Sequence, residues 1–141
     1  MKINVKKLDP NAVIPKRMSA GAAGMDVVAT SVNYTERYIE YGIGLAIQTP
    51  VGYGTFLLPR SSISNKTLSL CNSVGLSDPD YLGEIRFRFK RTLGDGEPDY
   101  QVGERIGQLV VLPIPEIEFV EVEEFDITTE RDKNGFGSTG V

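Results

Sequence analysis

Residues 39–48 read Ile39-Glu40-Tyr41-Gly42-Ile43-Gly44-Leu45-Ala46-Ile47-Gln48, with an apolar side chain at every odd position. Successive side chains of an extended chain point to opposite faces, so this period of two predicts a half-buried strand, or a bent pair of strands. The same pattern recurs on either side. Ile85, Phe87 and Phe89 alternate with Arg86, Arg88 and Lys90; Ile3 and Val5 alternate with lysines and Asn4; Val120 and Val122 alternate with Glu121 and Glu123. Tyr53 to Leu58 reads as an apolar strand, and Leu109-Val110-Val111-Leu112 as a short strand buried on both faces. Fifteen glycines and eight prolines divide these runs at the intervals of a sandwich or barrel. Only Ser61 to Leu68 suits a short helix, with Ser61 and Ser62 as capping hydroxyls and Ile63 and Leu68 facing inward. The expected fold is all-β, in one domain.

Composition narrows the chemistry. The chain has 141 residues, 40% of them hydrophobic, a formal charge of -4, no histidine, no tryptophan and one cysteine, Cys71. Without histidine there is no Ser-His-Asp or Cys-His catalytic arrangement and no His-bearing zinc site. One cysteine forms neither an internal disulfide nor a Cys-rich metal cluster. Catalysis, if present, falls to carboxylates, hydroxyls, amides, arginines and a hard metal ion. The N-terminal stretch reaches charge and proline before any apolar run of signal-peptide length, and no segment approaches the roughly 18 apolar residues of a membrane span. A cytoplasmic protein without membrane attachment is expected. The acidic balance argues against direct nucleic-acid binding, which needs a basic surface, but leaves room for a small phosphorylated ligand met by local cations.

Five segments carry polar groups that suit such a ligand. Ala20-Gly21-Ala22-Ala23-Gly24-Met25-Asp26 packs small residues ahead of one carboxylate, which permits close backbone approach or simply a tight structural crossing. Pro59-Arg60-Ser61-Ser62 offers a cation and two hydroxyls, as an anion site or as a capped helix start. Asn72-Ser73-Val74-Gly75-Leu76-Ser77-Asp78-Pro79-Asp80-Tyr81-Leu82-Gly83 is the most loaded. The Asn72 amide has the donor and acceptor that match a pyrimidine imide edge, while Asp78-Pro79-Asp80-Tyr81-Leu82-Gly83 also reads as a plain hairpin turn. Gly103-Glu104-Arg105-Ile106-Gly107-Gln108 sets an amide at the mouth of a strand, where it serves backbone or substrate. The last residues, from Arg131 to Val141, have no periodicity. They read as a flexible tail, or as an arm whose Phe136 stacks on a flat ring while Arg131, Ser138 and Thr139 grip a polyphosphate.

In this order the segments resemble all five signature motifs of the trimeric dUTPases, deoxyuridine triphosphate nucleotidohydrolases, from residue 20 to residue 140. The resemblance implies a jelly-roll-like β-barrel over residues 1–130 with one short helix, an arm over 131–141 that closes on the site, and a homotrimer whose active sites draw on all three subunits. It implies hydrolysis of dUTP to dUMP and pyrophosphate by water attack at the α-phosphorus. Asp78 matches the residue that activates the water and contacts the sugar 3'-hydroxyl, Gln108 the amide near the α-phosphate, and Asp26 a carboxylate that supports metal-bound waters and neighbouring arginines. Asn72, with backbone groups of the hairpin that contains Gly75, matches the uracil reader, and Tyr81 the ring beneath the deoxyribose. Arg60, Ser61 and Ser62 match the phosphate motif; Arg131, Phe136, Gly137, Ser138 and Thr139 match the arm's clamp, stacking ring and terminal-phosphate donors. The implied cofactor is Mg2+, held through substrate phosphates and waters and not by direct protein ligands.

Ser77 stands where the family commonly has an apolar residue, Pro79 follows the aspartate, and Asp132 and Asn134 replace arm glycines. The Thr92 to Tyr100 stretch is longer than a minimal hairpin. A dCTP deaminase of the same fold, a dUTP-sensing regulatory protein and an inactive barrel are the alternatives. Arg86, Arg88 and Lys90, and the glutamates from Glu116 to Glu124, read as solvated faces or as pairing between subunits.

Overall fold

The structure, a computed structural model, describes residues 1–129. Nine strands follow one another: β1 (Asn4–Lys7), β2 (Met25–Val28), β3 (Ser31–Tyr34), β4 (Ile39–Gln48), β5 (Tyr53–Leu58), β6 (Leu68–Leu70), β7 (Gly75–Ser77), β8 (Glu84–Arg91) and β9 (Arg105–Pro113). They form two antiparallel sheets. In the first, β8 lies between β6 and β4, and the far side of β4 is shared by β3 along Ile39–Gly42 and β1 along Leu45–Gln48. The second runs β2-β9-β5-β7. The expected jelly-roll-like all-β class is thus observed.

The 39–48 stretch is one strand, bent at Gly44. There φ is +65° and the register against β8 shifts between Gly42 and Ala46. A Cβ at Gly44 would crowd the side chains of Asp9, Thr30 and Ala12, so the bend requires glycine both for its φ and for the close approach. The half-buried expectation needs correction here, because residues 39–47 are all buried. Of the even positions, Gly42, Gly44 and Ala46 are small, Glu84 and Ser31 side chains cover Gly42, and Glu40 is capped by Arg86 and Arg88.

Between the sheets, Ile39, Tyr41, Ile43 and Leu45 of β4 and Ile85, Phe87 and Phe89 of β8 pack with Val27, Leu57, Ile106 and Leu109. Tyr41 meets Phe89 and Tyr100 edge-on and donates its hydroxyl to the Tyr100 carbonyl at 3.0 Å, satisfying a buried donor. Three further expectations change. The short helix is a 3-10 turn over Ser61–Asn65 without a side-chain cap, and Leu68 belongs to β6. Leu109 is buried but Leu112 is exposed; the β2 ladder along β9 reaches only from Arg105 to Leu109. No strand forms around Val120 and Val122. Among the described residues after Pro113, Phe119 is 92% and Phe125 85% exposed; a strand needs a ladder partner, and this segment has none among the described residues. Among the described residues no helix is long and apolar enough to cross a membrane.

Candidate active site

The loaded Asn72–Gly83 segment is not a hairpin. β6 pairs with β8 in the first sheet and β7 with β5 in the second, so Cys71–Val74 and Asp78–Gly83 each cross from one sheet to the other. These crossings hold open a cavity of about 510 Å³ lined by Leu57, Asn72, Gly75, Ser77, Asp78 and Tyr81, with Glu40, Arg86 and Arg88 at its charged side. Ser73 sits at φ 57°, and across it the Asn72 carbonyl accepts the Val74 N–H at 2.5 Å. This is a sparsely populated turn for a non-glycine residue, and it follows directly on Asn72, which lines the cavity. A Cβ on Gly75 would lie 3.2 Å from the Asn72 amide nitrogen and 3.0 Å from the Leu57 Cβ, so only glycine leaves the amide its full space. The Tyr81 hydroxyl donates to the Glu84 carbonyl at 2.9 Å, and its N–H to the Asp78 carbonyl at 3.2 Å. Asp78 is exposed beside it and its carboxylate is open to solvent.

A second cluster gathers the other expected residues. Asp26 accepts from Arg60 Nε at 3.2 Å through one carboxylate oxygen and from Arg105 Nη1 at 3.1 Å through the other. One carboxylate thus orients two guanidiniums and leaves a local excess of positive charge. Arg60 also reaches the Ser62 hydroxyl, at 3.3 Å, while Ser61 is exposed at the head of the 3-10 turn. Gln108 donates its amide to the Pro59 carbonyl at 3.0 Å, which pins the backbone just before Arg60. A Cβ on Gly24 would overlap the Gln108 amide, which accounts for glycine there. Arg105 and Tyr100 are the members that residue-type reasoning passed over. Tyr100 is buried behind Ser62; burial pushes its hydroxyl pKa up, and the nearby Ser62 and Arg60 work against that. Its hydroxyl still lacks a hydrogen bond of good geometry.

The chain therefore holds two half-sites. The cavity of Asn72, Gly75, Asp78 and Tyr81 does not include Asp26, Arg60, Ser61, Ser62 or Gln108. Arg131, Phe136, Gly137, Ser138 and Thr139 lie outside the described residues. Among the described residues no group of three or more Cys, Asp or Glu is placed to hold a metal ion.

The charged side of the cavity centres on the buried Glu40 carboxylate, with Glu84 pairing with Arg86 beside it. Glu40 accepts from Arg86 Nη1 and from Arg88 Nε, each at 2.7 Å, so these strand cations pair within the chain. Burial raises the Glu40 pKa, and the hydrogen bonds and charges of Arg88 and Arg86 more than reverse this, leaving it below its ordinary value of 4.5. A depressed folded pKa contributes stability that is complete above the unfolded value and lost as pH falls through the folded one. Glu40→Gln is expected to lower Tm at pH 7 by a few degrees and to flatten the acid limb of a Tm-against-pH curve below about pH 4.5. A variant that keeps the full acid slope would assign that slope to other carboxylates.

The dUTPase family model matches residues 10–140. A deoxyuridine 5'-triphosphate nucleotidohydrolase of Hydrogenobaculum sp. is 38% identical, the match covering 100% of this chain and 99% of that protein. One of Helicobacter pylori is 39% identical over 100% and 98%. The dUTPase of Staphylococcus bacteriophage 80alpha, solved with dUPNHPP, superposes with a TM-score of 0.85 at 30% identity, over 99% of both chains. That phage protein is described as controlling transfer of virulence genes by a proto-oncogenic G protein-like mechanism.

Proposed function

The chain belongs to the dUTPase family, and from that premise we propose that it hydrolyses dUTP to dUMP and pyrophosphate with the two half-sites described above. The convergence of Asn72, Gly75, Asp78 and Tyr81 on one cavity is the observation that carries this reading. Asn72 pairs its amide with the imide edge of uracil, and Tyr81 supports the deoxyribose. Asp78 takes a proton from the attacking water; as the water oxygen bonds to the α-phosphorus, the bond from that phosphorus to the bridging oxygen breaks and pyrophosphate leaves. Arg60, with Ser61 and Ser62, meets the phosphates, and the two ion pairs of Asp26 keep Arg60 and Arg105 aimed without reorganisation. Gln108 is placed beside this motif by its bond to Pro59. Arg131, Phe136, Gly137, Ser138 and Thr139 form the arm that closes over the nucleotide.

The donor set fits a Mg2+ ion carried in with the substrate. Both oxygens of Asp26 are engaged by arginines, so Asp26 would act on such an ion through water, and substrate phosphates would supply its direct ligands. When bound, Mg2+ neutralises phosphate charge. Assembly into a homotrimer completes the site, with the phosphate cluster of one copy facing the nucleoside cavity of another. The division of the half-sites and the exposed Ile117, Phe119, Val122 and Phe125 support this arrangement. We place the activity in the cytoplasm, in keeping with the single cysteine. The full terminal motif favours dUTP hydrolysis over dCTP deamination.

Pyrophosphate release is expected from dUTP at least about a hundredfold faster, in kcat/KM, than from dCTP, dTTP or UTP, and EDTA is expected to suppress it until Mg2+ is restored. Ammonia release from dCTP would instead indicate the deaminase. Sedimentation analysis is expected to give the mass of three chains; a monomer with full turnover would sink the shared-site reading.

A further inference from the structure

Tyr100 is 3% exposed, and its hydroxyl, closed off from solvent, makes no hydrogen bond of good geometry. An unpaired buried hydroxyl is costly, and native structures seldom leave one without reason. The ring is held on several sides. Its centroid lies 6.1 Å from that of Tyr41, which meets it edge-on, and 5.7 Å from that of Phe89, while the Tyr100 carbonyl accepts the Tyr41 hydroxyl. The Lys66 ammonium sits over the ring, 4.5 Å from the centroid, and donates to the Pro98 carbonyl at 2.7 Å. Lys66 ends the 3-10 turn that Ser61 and Ser62 open, so the ring packs against the element that carries them. Ser62 and Arg60 are the groups that ease ionisation of the Tyr100 hydroxyl against its burial, which sets that end of the ring at the head of the turn.

Ser62 has the matching capacity. Its oxygen accepts Arg60 Nη1 at 3.3 Å, and Arg60 Nε is held in turn by Asp26 at 3.2 Å. A hydroxyl oxygen has two lone pairs, so one remains for Tyr100, and the Ser62 proton stays free for an acceptor on the outer side, where Ser62 is half-exposed. We propose that Tyr100 is a positioning residue of the phosphate-binding half-site, whose hydroxyl donates to Ser62 Oγ in the nucleotide complex and holds Ser62 and Arg60 toward the phosphates. The assignment rests on the dUTPase reading and deepens it. Tyr100 touches no nucleotide, because its hydroxyl is shut away from solvent. It acts through Ser62: each donor into Ser62 Oγ makes that hydroxyl a better donor to a phosphate oxygen, and the effect is strongest away from bulk water. The Tyr100–Ser62 bond closes only in the complex, so it contributes to phosphate affinity and little to the stability of the free protein.

The test is Tyr100→Phe, which keeps the ring and removes the hydroxyl, made alone and together with Ser62→Ala. For Tyr100→Phe, KM for dUTP is expected to rise about fivefold with kcat within about twofold. Inhibition by deoxyuridine, which has no phosphate, should be unchanged, and the free protein should melt at the wild-type temperature or above it, because the unpaired group is gone. In the Ser62→Ala background Tyr100→Phe should add nothing, since the acceptor it serves is absent. Wild-type KM and kcat in Tyr100→Phe would overturn the assignment alone, as would effects of the two substitutions that simply add. A loss of deoxyuridine affinity equal to the loss for dUTP, with a lowered Tm, would replace it with a purely structural role. Wild-type protein that releases no pyrophosphate from dUTP would overturn the dUTPase reading and the assignment with it.

Discussion

Asp78→Asn is expected to lower kcat for dUTP by about a thousandfold, within the range that loss of a general base commands. The substitution keeps the shape of the side chain and removes its capacity to take a proton. No histidine stands in reserve anywhere in the chain. Asp78 is exposed, and the turn around it is held through its backbone carbonyl, which accepts the Tyr81 N–H. Stability should therefore be unchanged, within about 0.5 kcal/mol. Affinity for dUMP should fall little, since Asn72 and Tyr81 remain. Full turnover in the variant would remove Asp78 from the mechanism; lost turnover together with a lowered Tm would point to a structural cause.

Deleting residues 131–141 is the second large effect. The truncation removes Arg131, Phe136, Gly137, Ser138 and Thr139, which are proposed as a phosphate clamp, a stacking ring and donors to the terminal phosphate. Loss of a single preorganised donor to developing charge costs about 100- to 1000-fold, so turnover should fall at least about a hundredfold. The described strands end at Pro113 and the core lies wholly before it, so Tm and sedimentation should match the full chain. Dissociation on truncation would show that the segment holds copies together and does not act as a lid.

How far the residues alone led can be judged strand by strand. β4, β5, β8 and β9 were legible because six to ten residues repeat a clear apolar pattern. β3, β6 and β7 have three or four residues each, too few to show a period. Val120 and Val122 show the opposite failure. Their alternation is genuine, but a strand exists only where another edge accepts its hydrogen bonds. The site followed the same rule. Asn72, Asp78 and Tyr81 are close in sequence and were found together, whereas Arg105 reaches Asp26 across 79 positions and Tyr100 backs Ser62 from another part of the chain.

The sequence by itself determined the strand class, the exclusion of histidine and thiol-cluster chemistry, and the ordered set of polar segments that marks the family. These are local properties, written in spacings of a few residues. Only the tertiary structure decided that both faces of β4 are covered, that Asp26 divides its two oxygens between Arg60 and Arg105, and that Gln108 spends its amide on Pro59. It alone separated the cavity of Asn72, Asp78 and Tyr81 from the cluster of Asp26, Arg60 and Arg105 and left the Ser77 hydroxyl without a partner. Each of these depends on register between strands distant in the chain, and register is set by the summed packing of the two sheets, which no short stretch of residues encodes.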